Sequence, residues 1–264
     1  IELKHEGIDT CLFDLYTEDS SSFKAIEKPM QDAYLVINIP PGRKNFSPEL
    51  FVQQMKLLFE FACHQKVKHI CFISTTSVFG EVKGRISNAT SLAPNTASGK
   101  AHVELELYLK GLAAANDISA SVLHLAGLVG EDRHPIKTLS GKTDIALGKN
   151  PVNLIHQHDV IQAIVAVLRH AQLPPKQKDD AVHEKTGLNK LLFTENFYSA
   201  NLCSAEHPAR ADYYTWCADQ KAIPKPEFSI DDRDTVDGKW IDATETIEQL
   251  GIKLKYASPY DMLL

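Results

Sequence analysis

The chain has 264 residues, 44% of them hydrophobic, which is enough for one sizeable core or for a large domain with a small lobe. Twenty-eight basic against 34 acidic residues give a formal charge of -6 with no basic stripe, so nucleic acid is excluded as an expected partner. No stretch approaches the roughly 18 apolar residues of a membrane span, and the five cysteines lack metal-like spacing; Cys11, Cys63, Cys71, Cys203 and Cys217 are expected as buried thiols in a reducing cytoplasm, with no metal.

In chain order the pattern alternates strands and helices, as a parallel α/β sheet requires. Residues 33–39 (AYLVINI) read as a strand stopped by Pro40, Pro41 and Gly42. Ser47 then caps a helix with Pro48 in its first turn and Glu49 at the positive end of the dipole, and Leu50, Met55, Leu58, Phe59 and Ala62 form its apolar stripe. The apolar, β-branched run His69 to Ile73 reads as a buried parallel strand that ends in four hydroxyl residues, Ser74, Thr75, Thr76 and Ser77. Ligands of doubly wound sheets bind outside the carboxyl ends of the strands, so this cluster is expected to face a crevice. A helix is expected from Gly99 to Asn116, with Val103, Leu107 and Ala114 on its apolar side, leading into a strand from Ala120 to Leu125. His158 and Asp159 open another helix, Val160 to Ala171, with Asp159 as its cap and Ile161, Ile164, Val165 and Leu168 as its apolar face. Leu173 to Lys190 breaks every period and reads as a solvated insertion. Beyond it lie strand-like residues from Leu191 to Leu202, a helix from Pro208 to Ala222 rich in Tyr213, Tyr214 and Trp216, and a short helix from Ala243 to Leu250.

The passage Phe72 to Gly80, FISTTSVFG, resembles the extended short-chain dehydrogenase/reductase family, which includes NAD-dependent sugar-nucleotide epimerases and dehydratases. In that family a strand ending in a Ser/Thr-rich turn and an aromatic-Gly pair is followed by a proline and then by Tyr-x-x-x-Lys at the start of a long helix. Thr75 falls on the family's catalytic Ser/Thr, Phe79-Gly80 on the aromatic-Gly pair and Pro94 on the proline. Ser98 takes the tyrosine's place and His102 the lysine's; the other register, with Lys100 as the lysine, puts Thr96 at the tyrosine. Neither supplies a phenol. A phenol with an unperturbed pKa near 10 can be lowered by a neighbouring ammonium, whereas a serine hydroxyl is shorter and far less acidic. Two readings follow: a rebuilt acid/base pair of Ser98 and His102 on one helix face, or Ser98 as a helix N-cap with His102 solvated or contacting a ribose.

The likeness continues through HLAGLVGEDRHP (His124 to Pro135) and NLIHQHDVIQAI (Asn153 to Ile164), and SAEHPARADYY (Ser204 to Tyr214) and GKWIDATETIEQLGI (Gly238 to Ile252) narrow it to the atypical YeeZ-like subgroup. Members of that subgroup keep the cofactor fold while lacking much of the active site. Ile8 to Leu15, IDTCLFDL, resembles the family's third strand, ending in the Asp-Leu pair beside the adenine. No Gly-x-x-Gly-x-x-Gly precedes any strand, so a first βαβ unit of about 40 residues is expected upstream of residue 1, and a chain without it is expected to bind dinucleotide weakly.

The resemblance implies a Rossmann-type doubly wound parallel sheet with a small C-terminal α+β lobe. Residues 1–152 would form the dinucleotide-binding domain, incomplete at its N-terminus; 153–264 would form a mixed segment whose helix 158–171 packs on the sheet while the rest builds the lobe. It implies NAD or NADP as cofactor, with Asp14 and Leu15 near the adenine and Ile39, Pro40 and Pro41 beneath the ribose and pyrophosphate. Thr75 would lie near the nicotinamide, covered by Ala126, Gly127 and Leu128, and His102 counts among the cofactor-binding residues. Thr75, Ser98 and His102 form the candidate catalytic set, a nucleotide sugar or similar small molecule the expected substrate, and a homodimer the expected assembly. The two functions in view are a dinucleotide-binding protein without ordinary hydride chemistry, and an active oxidoreductase or epimerase with a rebuilt acid/base.

Overall fold

The structure is a computed structural model that describes residues 2–17, 21–42, 46–173, 196–229 and 238–263. Its centre is a four-stranded parallel sheet in the order β1-β2-β4-β7, from β1 (Tyr34–Ile37), β2 (His69–Thr75), β4 (Ser119–Leu125) and β7 (Phe197–Leu202). Tyr34 pairs with His69, His69 with Ser119 and Ala120 with Phe197, so the strands run in step and their carboxyl ends align. Two shorter parallel pairs flank that end: β3 (Gly84–Ile86) with β8 (Lys239–Ile241), and β5 (Gly127–Val129) with β6 (Leu154–His156).

Both faces of the sheet are covered, and strand alternation sorts the residues between them. Phe72 and Val122 face α3 (Pro48–His64) and α4 (Ala97–Asn116) in a core with Phe51, Met55, Phe59, Leu105 and Leu109. Their chain neighbours Cys71, Ile73 and Leu123 face α6 (Gln157–Gln172), with Val160, Ala163 and Val167. A third cluster gathers Tyr213, Tyr214 and Cys217 of a helix at Arg210–Lys221 with Val129, Leu154 and Met262.

Several expectations are corrected. The segment 8–15 is irregular, because a strand needs a laddered neighbour and none pairs with it among the described residues; Leu12 and Cys11 are exposed, so Cys11 is no buried thiol. Helix α4 starts at Ala97 with Thr96 as its cap, so Ser98 sits inside the first turn. Helix α6 is capped by His156; Asp159 instead accepts from the Lys255 and Tyr256 backbone N–H groups at 2.8 and 3.0 Å, tying the C-terminal segment to the helix. Leu107, Ile161 and Val165 face outward, since the stripes that meet the sheet are Ala101, Leu105 and Leu109 on α4 and Val160, Ala163 and Val167 on α6. The insertion is described only at Leu173, and the strand-like residues before Asn196 lie outside the described residues.

Candidate functional site

The site begins where β2 runs out. Thr75 is the last residue of β2 and caps a 3-10 turn, Thr76–Phe79, that ends at Gly80. Gly80 has φ +52, and a Cβ there would lie 2.1 Å from the Ala93 carbonyl oxygen, so only glycine lets the chain double back toward α4. The first turn of α4 packs directly on this corner. A Cβ on Gly99 would stand 2.8 Å from the Ser77 carbonyl oxygen, and Thr96 Oγ1 accepts from the Gly99 N–H at 3.0 Å.

This packing gives Thr75 a defined polarity. Its Oγ1 accepts from the Ser77 N–H and the Ser77 hydroxyl, both at 3.2 Å, which occupies its lone pairs and leaves its own hydrogen free to donate. His102 shows the opposite polarity. Its Nδ1 lies 2.8 Å from the Ser98 carbonyl oxygen and must therefore carry a hydrogen, while its Nε2 has no partner among the described residues. The ring is only 5% exposed, stacks on Phe72 at 5.9 Å and leans on Phe51 at 6.0 Å. Burial holds its pKa below the usual imidazole value, against the opposing pulls of the Ser98 hydrogen bond and the Glu106 charge. His102 is a neutral imidazole offering a lone pair, and the expectation of a solvated side chain is corrected.

A cavity of about 760 Å³ opens at the carboxyl ends of β1, β2 and β4. It brings together Ile39, Pro40 and Pro41 after β1, Thr75 at the end of β2, Ser98 and His102 on α4, and Ala126, Gly127 and Leu128 after β4. Asp14 and Leu15 do not reach it. Leu15 is buried against the core containing Ile26 and Met30, and Asp14 closes a local turn, accepting from the Tyr16 N–H at 3.0 Å. Tyr16 instead lines a neighbouring cavity of about 330 Å³ that shares Pro40, Pro41 and Gly42. A further cavity of about 590 Å³ lies between α6 and residues 250–253, away from the strand ends.

Sequence reasoning missed four residues at or beneath the site, Lys239, Glu106, His124 and Asn201, whereas Ser74 was expected at the crevice and lies there. Lys239, from β8, lines the cavity and donates to the carbonyl oxygens of Thr76 and Gly80 at 3.0 and 3.1 Å, which fastens β8 to the Thr75 corner; burial lowers its pKa. Ser74 lines the cavity and donates to Glu106 Oε1. The other Glu106 oxygen meets His124 Nε2 at 3.0 Å, and His124 Nδ1 meets Asn201 Oδ1 at 3.2 Å. Ser98, His102 and Glu106 recur in steps of four on one helix face, a spacing that was available in the sequence; Lys239 and Asn201 come from far along the chain and carried no local signal.

The cavity has the size and polar lining of a small-ligand site. No Asp or Glu among the described residues lines it, and the Thr75 hydrogen and His102 lone pair offer one donor and one acceptor. A Cβ on Gly127 would lie 3.0 Å from the Asn153 carbonyl oxygen, so the β4–β5 bend on the cavity wall is closely packed.

Residues 50–179 match the model of the NAD dependent epimerase/dehydratase family. Protein YeeZ from Escherichia coli K12 is 32% identical over 258 residues, covering 98% of this chain and 84% of its own length. The chain belongs to the NAD-dependent epimerase/dehydratase family. Solved structures with the same fold include MoeE5 in complex with UDP-glucose and NAD, with TM-score 0.71, 14% identity and coverage of 96% of this chain and 82% of that one. UDP-glucuronic acid 4-epimerase from Bacillus cereus, in complex with NAD, aligns with TM-score 0.67 and 18% identity over 95% of this chain and 74% of the other. At these identities the two structures share the α/β fold with this chain. Among the described residues no helix is long and apolar enough to cross a membrane, and no cluster of His, Cys, Asp or Glu could hold a metal ion.

Proposed function

We propose that this family member binds NAD or NADP at the β-strand ends and does not run the family's phenol-based proton transfer. One observation carries the reading: α4 presents Ser98 and a buried, neutral His102 where the family resemblance places a tyrosine and a lysine, and among the described residues no tyrosine lines the cavity. A neutral imidazole supplies no fixed positive charge to lower a hydroxyl's pKa, and serine is a poor proton donor without one. A bound nicotinamide can supply hydride chemistry, which this reading leaves unused for want of a proton partner. Ile39, Pro40 and Pro41 would hold its ribose side, Thr75 would donate to an oxygen, and Ala126, Gly127 and Leu128 would cover the ring.

A second reading is supported by the opposed polarities of Thr75 and His102. A free hydroxyl hydrogen beside a free imidazole lone pair can polarise a carbonyl and take a proton, so an active epimerase or oxidoreductase on a nucleotide sugar is its functional form. Relatives of this fold crystallised with UDP-glucose and NAD support that substrate class. Exposed Leu57 and Leu107 on α3 and α4 support pairing of two copies through those helices, and buried Cys71, Cys203 and Cys217, with thiol pKa values pushed up to about 11, 12 and 11 mainly by burial, support a reducing, cytoplasmic setting.

A thermal-shift titration of the full-length protein with NAD(H) and NADP(H) tests the first reading. Stabilisation of about 2.7 kcal/mol is expected when one dinucleotide is present at 100 times its Kd, with no change in nicotinamide absorbance on adding a panel of nucleotide sugars. No shift with any dinucleotide overturns it. Turnover that Thr75→Ala and His102→Ala each abolish replaces it with the second reading.

A further inference from the structure

We propose that Glu106 and His124 hold one proton between them and act as a positioning pair that sets the charge felt by His102 at the cavity wall. Both are buried, at 4% and 3% exposure, on α4 and β4 directly beneath the strand ends. The proton count follows from the acceptors. Asn201 Oδ1 is a carbonyl oxygen whose orientation is fixed by its Nδ2 donating to the Ile86 carbonyl oxygen at 3.3 Å, so His124 Nδ1 must carry a hydrogen toward it. Bare acceptors do not meet at 3.0 Å, so a second hydrogen lies between His124 Nε2 and Glu106 Oε2. Whether nitrogen or oxygen holds it, the pair sums to zero charge, the arrangement that buried ionisable groups require.

Few groups face this pair. Ser74 of β2 donates to Glu106, Asn201 of β7 accepts from His124, and the Phe79 ring meets the His124 ring edge-on at 5.3 Å. On α4 the next turn carries His102, which is itself faced by Phe51, Phe72 and the Ser98 carbonyl. The Glu106 charge favours a charged His102 and the His124 charge opposes it, so a balanced pair leaves His102 neutral with its Nε2 lone pair available. Ser74, its hydrogen committed to Glu106, likewise presents only lone pairs. This wall therefore takes ligand groups that donate, such as a sugar hydroxyl or a carboxamide N–H.

The proposal rests on the proposed reading of His102 as a neutral acceptor in the cavity wall, and its test needs no ligand, so its failure is distinct from a failure to bind dinucleotide. The His102 ring titration is followed by NMR in three proteins. In His124→Gln the amide still donates to Glu106 but the shared proton is gone and a carboxylate stands uncompensated; the His102 midpoint is expected to rise by about one pH unit, a tenfold gain in proton affinity. In the double variant Glu106→Gln with His124→Gln the neutral pair is restored, and the midpoint is expected to return to that of the unaltered protein. An unmoved midpoint in the single variant, or one that stays raised in the double variant, overturns the proposal. Should the single variant fail to fold, the ring nitrogens of His124 in the unaltered protein decide: a hydrogen on Nδ1 supports the pair, and a bare Nδ1 sinks it.

Discussion

Helices α3 and α4 lie side by side on one face of the sheet and differ in what they bury. Helix α3 turns Phe51, Val52, Met55, Leu58, Phe59 and Ala62 inward, an unbroken apolar stripe. Helix α4 buries Ala101, Leu105, Leu109 and Ala113 in the same core, but the same inward side also carries Gly99, His102 and Glu106. Burying an imidazole and a carboxylate is unfavourable unless each finds a partner, and each has one: the Ser98 carbonyl for His102, and Ser74 with His124 for Glu106. One helix is built for cohesion, while its neighbour gives up some cohesion to place polar atoms beside a cavity.

The largest test of that contrast is a pair of substitutions. Phe59→Ala on α3 is expected to cost ~3–5 kcal/mol in urea denaturation and to leave dinucleotide affinity of the folded fraction unchanged. His102→Phe on α4 keeps an aromatic ring there and is expected to cost ~1–3 kcal/mol, yet to remove the dinucleotide thermal shift. Equal losses of stability from the two would erase the distinction. A smaller effect separates the two ends of α4 itself. Gly111 meets nothing within 4 Å of a built Cβ, so Gly111→Ala is expected to stabilise by ~0.8–1.0 kcal/mol. Gly99→Ala meets the Ser77 carbonyl and is expected to destabilise by ~1–3 kcal/mol while weakening dinucleotide binding, because it pushes α4 off the Thr75 corner; a stabilising Gly99→Ala would show that this contact is loose.

The smallest effect is on pH. Folding depresses the His102 pKa, so above 6.5 the ring is neutral in both states and adds nothing, and as pH falls below 6.5 the unfolded chain takes the proton first and stability declines. Chemical denaturation between pH 7 and 5 should show a shallower acid slope in His102→Gln than in the unaltered protein. An identical slope would mean that His102 is not held neutral by burial.

The sequence carried the parts of this site that are local. The hydroxyl run after an apolar strand, the two prolines after the first strand and the Ser47 cap each announce themselves within a few residues, and Ser47 Oγ does accept from the Leu50 N–H at 3.4 Å. The α4 boundary was harder, since Thr96 and Ser98 are both good caps and only the backbone shows that Thr96 has extended geometry. Asp14 and Leu15 were placed by resemblance to a strand, and the irregular path of 8–15 buries Leu15 instead. The Glu106, His124 and Asn201 set depends on β4 and β7 being neighbours, a pairing of residues 77 apart that no local pattern encodes.

That late neighbour matters while the chain is being made. β4 is complete at Leu125, but the strand that shields its far edge is not finished until Leu202. At roughly 5–20 residues per second, translation leaves that edge bare for several seconds. An open edge of this kind is a template for pairing with another nascent chain, so the ribosome-bound intermediate should be the protein's most association-prone form and the one that gains most from a holding chaperone.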